Sequence, residues 1–332
     1  MDSPSPLQDA LGQRRALVLD GALATELERR GAELSGGLWS ARLLDEQPGL
    51  IAAVHRDYFE AGADVAITAS YQASVDGFVR AGFTAAQARR LLLLSVELAG
   101  RARDEFWADQ PTSVRRRRMR PLVATSVGPY GAVLADGSEY RGGYDVSPSD
   151  LVRFHRERLA VLVDAGVEVL AVETLPSLVE ARAVVEAIAS WPSLTAWVSF
   201  SARDGRQVSD GTSAAECAAW LDLQPQVVAV GVNCTAVENV TPLLHELGSA
   251  TSLPLVAYPN SGEVWDAQRR RWRGTPVSLA PPRSPQHVLT EEWYAAGARL
   301  IGGCCRTGPA DVQAISATLR DSVLLEPPEG SG

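Results

Sequence analysis

Leu300-Ile301-Gly302-Gly303-Cys304-Cys305-Arg306 is a short apolar run that ends in two glycines and two adjacent cysteines. A second run, Val228-Ala229-Val230-Gly231-Val232-Asn233-Cys234, ends in a third cysteine. Near-continuous apolar runs of this length suit strands of a parallel sheet buried on both faces. Two such strands, each finishing in Cys, would deliver their thiols to one edge of that sheet. Three soft thiolates meeting there would make a zinc site with one coordination position open. The bland alternative is that a free Cys is simply a small buried apolar residue. That reading fits Cys217, which falls in a helical stretch.

Outward from these two runs the pattern repeats. Further strands are predicted at 16–19, 64–68, 122–125, 169–172, 196–200 and 255–258, each followed by a helical stretch. Helix starts are marked by Pro48, by Thr84 with Gln87 in capping-box spacing, by Ser147-Pro148 and by Ser213 with Glu216. The segments Ala61-Gly62-Ala63-Asp64, Ala165-Gly166-Val167-Glu168 and Ala296-Gly297-Ala298-Arg299 share one design: a glycine ends a helix and a strand begins at once. Eight strand–helix units predict an α/β protein, a single-domain (β/α)8 TIM barrel over residues 14–322. A flexible leader (1–13) and a disordered tail (323–332) flank it. An open doubly wound sheet is the alternative, but no Gly-x-Gly-x-x-Gly turn follows the first strand. Residues 128–145, rich in Gly and carrying three Tyr, read as a functional loop, and residues 260–283 as another.

Composition narrows the function. The 332 residues carry a formal charge of -9, which argues against nucleic acid as partner. The run Arg115 to Arg118 reads as a solvated loop. All 31 basic residues are Arg, so Schiff-base and P-loop lysine chemistry are excluded. Four Cys make no disulfide framework, and the first residues do not read as a signal peptide. The apolar run Leu91 to Leu98 is interrupted by Glu97 and is too short for a bilayer, so no membrane partner is expected. A reducing cytoplasm would keep the thiols free for a metal.

The predicted strand ends carry Asp20, Thr68, Ser126, Glu173, Asn233 with Cys234, Asn260, and Cys304 with Cys305. A barrel places its chemistry there. His55, His155, His245 and His287 all fall in helical stretches, so a Cys–His nucleophilic pair is not expected. Asp20 could instead cap a helix. Glu173 is harder to explain structurally, because a carboxylate at a buried strand end needs a partner. Gly302 and Gly303 are expected to give the chain the freedom to turn sharply, so that both following cysteines face one ion.

At these residues the chain resembles the homocysteine S-methyltransferase family. Asp20-Gly21-Ala22 and Glu173-Thr174-Leu175-Pro176-Ser177 match its first- and fourth-strand motifs. Gly231-Val232-Asn233-Cys234-Thr235 and Gly302-Gly303-Cys304-Cys305-Arg306-Thr307 match its two zinc-ligand motifs. Ser70-Tyr71-Gln72-Ala73, Ser126 to Gly131 and Tyr258 to Glu263 resemble the short bacterial and plant enzymes that use a sulfonium donor. The resemblance implies a (β/α)8 barrel, Zn2+ on Cys234, Cys304 and Cys305, and methyl transfer from S-methylmethionine or S-adenosylmethionine to L-homocysteine. It implies that Asp20 and Glu173 hold the substrate ammonium. Thr68, Ser70, Tyr71, Gln72, Tyr130, Asn233 and Asn260 are the further substrate-binding candidates, with Tyr71, Tyr130 and Tyr140 offering aromatic faces to a cationic donor. The expected oligomeric state is a monomer or weak dimer. The alternatives are a betaine-using homocysteine methyltransferase, a non-catalytic zinc or thiol-binding barrel, and a module of a larger cobalamin enzyme.

Overall fold

Among the described residues ten strands form in chain order: β1 (Leu17–Val18), β2 (Val65–Ile67), β3 (Leu122–Val127), β4 (Val169–Leu175), β5 (Ala196–Phe200), β6 (Val227–Asn233), β7 (Leu255–Tyr258), β8 (Val264–Asp266), β9 (Arg271–Arg273) and β10 (Ala298–Ile301). The computed structural model describes residues 5–33, 42–262, 264–266, 271–273 and 285–324. Eight strands make one parallel sheet in the order β1-β10-β7-β6-β5-β4-β3-β2. A parallel bridge from Leu19 to Val65 joins its two ends. Asp64 N donates to Val18 O at 2.7 Å and Asp20 N to Val65 O at 3.1 Å, which closes the barrel. The expected TIM barrel is therefore the observed fold. β8 and β9 pair antiparallel as a separate two-stranded sheet, in a stretch read from sequence as plain loop.

Side-chain alternation divides the core. Leu17 and Leu19 of the first strand, Val169 and Ala171 of β4, and Leu300 of β10 join one interior cluster with Trp197 and Tyr258. Their neighbours Val18, Leu170, Val172 and Ile301 face the surrounding helices in a second cluster. The helix signals hold locally. Thr84 and Gln87 form a capping box on the helix Ala85–Asp109, and Ser147 with Asp150 does the same for Pro148–Leu162. Ser213 precedes the helix Ala214–Asp222 but makes no side-chain cap bond. Gly62 (φ 115°) and Gly297 (φ 103°) end their helices left-handed, a conformation that suits a residue without Cβ.

The expected flexible leader is corrected. Pro6–Gln13 is a helix with a Ser5–Gln8 capping box, and Leu7 is fully buried in the interior cluster. Its apolar face plugs the barrel end beside β1. Leu7→Ala should therefore lower unfolding stability by about 2–4 kcal/mol, as for other buried leucines. Urea denaturation checks this; a change within experimental error would return the segment to the status of leader. At the other end the helix Pro309–Leu324 runs two residues into the expected tail, and 325–332 lie outside the described residues. Among the described residues, no helix is long and apolar enough to cross a membrane.

Candidate active site

Cys234 follows β6 directly, and Cys304 with Cys305 follows β10. The strands are neighbours of β7, so their ends meet at one mouth. The three sulfurs lie within 4.8 Å of one another, with Cys234 Sγ and Cys305 Sγ 3.5 Å apart. A tetrahedral ion with sulfur bonds of about 2.3 Å would need sulfur–sulfur edges of about 3.8 Å, so the donor set fits a metal ion with small adjustment. Cys234 is buried, whereas Cys304 and Cys305 are partly exposed, which leaves a side open to substrate. The thiols resist ionisation unaided. At Cys234 the contact with Cys304 acts to lower the pKa, but the contact with Cys305 and burial outweigh it and leave the thiol well above the ordinary range. A cation held by the three sulfurs would supply the charge that this cluster lacks. Cys217 lies apart in the helix Ala214–Asp222, where burial pushes its thiol up to about 12.

The two glycines before Cys304 act differently from the expectation. Neither adopts a positive φ; the residue that does is Arg306, at 68°. Their hydrogen side chains make room instead. A Cβ on Gly302 would come within 2.6 Å of Leu19 Cβ, and one on Gly303 within 2.3 Å of Thr307 Oγ1. This close approach lets Gly303 N donate to Asp20 O at 3.0 Å, Cys304 N to Pro259 O at 2.7 Å and Thr307 Oγ1 to Cys304 O at 2.6 Å. The double-cysteine turn is thus tied to the ends of β1 and β7.

Two buried carboxyls share the mouth. Asp20 caps no helix: its Oδ2 accepts from Ile67 N at 2.8 Å across the barrel seam. Burial, reinforced by repulsion from Glu173, pushes Asp20 well above the usual carboxylate range. Glu173 accepts from Ser126 Oγ and, at 3.1 Å, from the Tyr258 hydroxyl. Burial outweighs both bonds and raises Glu173 to about 7. Ser199 Oγ donates to Asn233 Oδ1 at 2.8 Å and lies 2.7 Å from the Tyr258 hydroxyl, which links the partner of Glu173 to Asn233.

Asn233 is consumed by structure. Its Oδ1 accepts from Thr174 N and its Nδ2 donates to Thr174 Oγ1, both at 2.7 Å. These bonds hold Thr174 at φ 59°, beside Glu173, while Cys234 itself sits at φ 49°. With Arg306, three non-glycine residues in this sparsely populated region mark a strained mouth. Thr68 Oγ1 and Ser70 Oγ are 2.7 Å apart, and both bond the Ser126 backbone. Tyr71 lies over Gly128, where a Cβ would approach its ring within 2.6 Å. Gln72 Nε2 donates to Ala132 O at 2.9 Å. The Tyr140 hydroxyl lies 3.1 Å from Cys234 Sγ. Tyr130 does not share that position; its ring packs on Tyr144 and Phe154. Asn260 Oδ1 is buried and has no partner among the described residues.

Sequence reasoning missed the supports. Buried Arg158 donates to Gly128 O at 2.9 Å, Tyr71 O at 2.7 Å and Ser70 O, fastening the loops after β2 and β3. His155, also buried, bonds Glu180 at 3.0 Å, and Glu180 accepts from Tyr130 N. Both lie on the helical face of Pro148–Leu162, where a single sequence offers no signal that separates them from surface charge. His55 is buried without a partner among the described residues and pushed down to about 4 by desolvation.

A closed barrel that brings three cysteines and two buried acids to the C-terminal ends of its strands defines a (β/α)8 enzyme with a thiol centre able to hold a metal. Comparison with known proteins narrows this further. The homocysteine S-methyltransferase family profile matches residues 17–319. The chain is 50% identical over 316 residues to the Bacillus subtilis homocysteine S-methyltransferase YbgG, covering 95% of this chain and 98% of the relative. It is 49% identical over 319 residues to the Escherichia coli homocysteine S-methyltransferase, covering 96% and 99%. The crystal structure of E. coli homocysteine methyltransferase MmuM in its metallated form superposes with a TM-score of 0.83 at 48% identity, covering 94% of this chain and 99% of that one. The chain belongs to the homocysteine S-methyltransferase family, and it is a methyltransferase.

Proposed function

We propose that the protein transfers a methyl group from a sulfonium donor, S-methylmethionine or S-adenosylmethionine, to the thiol of L-homocysteine, giving methionine, with Zn2+ on Cys234, Cys304 and Cys305. The observation that carries this reading is the meeting of three thiols with two buried acids at one barrel mouth. Zinc bound there would take the incoming thiol at its open position and favour the thiolate without a dedicated base. Everything else is supplied by the chain. Asp20 and Glu173 repel each other, and the ammonium of an amino acid between them relieves that repulsion. Thr68 and Ser70 hold the Ser126 backbone, and Ser126 in turn holds Glu173. Asn233 fixes the Glu173–Thr174 turn, and Asn260 offers an unused buried acceptor beside the double-cysteine turn. Tyr140, whose hydroxyl lies 3.1 Å from Cys234 Sγ, and Tyr71, whose ring lies over Gly128, would supply the aromatic surface for a sulfonium cation. Gln72 and Tyr130 anchor the loop that carries Tyr140. Methyl transfer turns the donor sulfonium into a neutral thioether, a step that a water-poor mouth favours. A reducing compartment keeps the three neighbouring thiols free.

The direct test supplies the zinc-loaded protein with L-homocysteine and, in separate reactions, S-methylmethionine, S-adenosylmethionine or betaine, and measures methionine. Turnover is expected with a sulfonium donor. Methionine from betaine alone, or from no donor at all, would overturn the reading.

A further inference from the structure

The opposite mouth of the barrel, where the strands begin, collects arginines from separate stretches of the chain. Arg14 follows the helix Pro6–Gln13, Arg117 and Arg118 precede β3, and Arg320 lies on the helix Pro309–Leu324. Together with Arg15 they line one cleft of about 740 Å3, which Val18 and Leu319 also line. That size is in the range of small-molecule sites. The carboxylates in the lining are Glu60 and Asp64. Glu60 is engaged by Arg56 at 2.8 Å, and Asp64 accepts from Val18 N at 3.1 Å. Five guanidinium groups therefore face two occupied carboxylates, on a chain whose overall charge is -9.

Two of these arginines are fixed in place. Arg14 Nη2 donates to Arg117 O at 2.7 Å, and Arg118 donates to Phe59 O at 3.0 Å and Ala63 O at 2.6 Å. Arg118 Nε keeps no partner among the described residues. Burial, with repulsion from Arg320 and Arg14, pulls the Arg118 guanidinium below its ordinary range despite Asp64. Like charges held together in a concave surface raise the local potential, and an anion of several charges relieves it. Guanidinium groups bond phosphate oxygens in pairs, which makes them better suited to this task than isolated point charges.

We propose that this cleft binds a small oligophosphate, such as a nucleoside triphosphate or an inorganic polyphosphate, through Arg14, Arg117 and Arg320. The thiols sit at the far ends of the strands, so the two sites are separate and this proposal does not depend on the methyl-transfer reading. The test is calorimetric titration of the metal-loaded full-length protein with ATP and with tripolyphosphate, at low and at physiological salt. The same titrations are run on the Arg117→Gln/Arg320→Gln double variant, whose altered side chains are exposed. The wild type should bind one equivalent, more weakly at the higher salt. The double variant should bind about a hundredfold more weakly, roughly tenfold for each charge-assisted contact removed. Its methyl transfer should be unchanged, which reports an intact fold. ATP binding tighter than tripolyphosphate would assign a nucleotide, and equal affinities the phosphate chain alone; both support the site. Equal affinity in wild type and double variant, as extraction of the metal by phosphate would give, or binding by neither protein, overturns it.

Discussion

Cys304→Ser is expected to abolish metal binding and methyl transfer together. The turn that carries Cys304 is held by backbone bonds to Pro259 and Asp20, so the fold should survive the exchange. What changes is the donor: a serine hydroxyl is harder and far less acidic than a thiol, and two sulfurs do not replace three. The metal content should fall from about one equivalent to near none. Turnover should fall by about a thousandfold or more, on the order of the 4 kcal/mol or more that metal activation of a nucleophile contributes. Elemental analysis and methionine formation on the same preparation check both. Cys217→Ser is the matched control, since that thiol lies outside the cluster and should leave metal and turnover intact. Undiminished turnover in a metal-free Cys304→Ser protein would remove the ion from the chemistry.

The second large effect belongs to Glu173. Glu173→Gln keeps the size of the side chain and much of its bonding to Ser126 and Tyr258, but deletes the charge. The KM for homocysteine should rise by about 10–100-fold, the range for loss of a charge-assisted contact. Metal content should stay the same. Glu173 ionises near 7, so wild-type kcat/KM for homocysteine should climb as pH rises through about 7 and then level, while the variant lacks that step. Stability runs the other way in the free enzyme. Burial favours the protonated carboxyl, so its contribution is fully present below the unfolded value of about 4.5 and lost as pH rises through about 7. Relative to Glu173→Gln, the wild type should lose about 3 kcal/mol across that interval by urea denaturation. Identical pH profiles for the two proteins would exclude the ammonium contact.

The barrel and its cysteines are legible in the sequence because their signals are local. Apolar runs, helix-ending glycines and a terminal Cys can each be read within ten residues, and chain order then forces the strand ends to meet. Partnerships across the barrel are not local. Glu173 is held by Ser126 and Tyr258, which lie 47 and 85 positions away, and Tyr140 reaches Cys234 over 94. Nothing in the spelling of either segment records such a pairing. Gly302 and Gly303 were legible as special but for the wrong reason, since the crowding by Leu19 and Thr307 exists only once the barrel has closed. The N-terminal helix did carry a signal, Ser5 with Gln8, but eight residues are too few for a convincing period. Arg115 to Arg118 read alone as solvated loop; the arginines at 14 and 320 that join the run come from opposite ends of the chain.

Asn233 and Cys234 are consecutive, yet in the proposed function they would serve opposite ends of an amino acid. One steadies the turn beside the acid proposed for the amino group, and the other offers sulfur at the proposed metal. A single rigid strand therefore works as a ruler, and the gap between the two subsites cannot stretch without undoing the bonds to Thr174. A thiol amino acid one methylene shorter would have to leave one of the two subsites empty. Under that proposed function, selection by length would follow from one peptide unit.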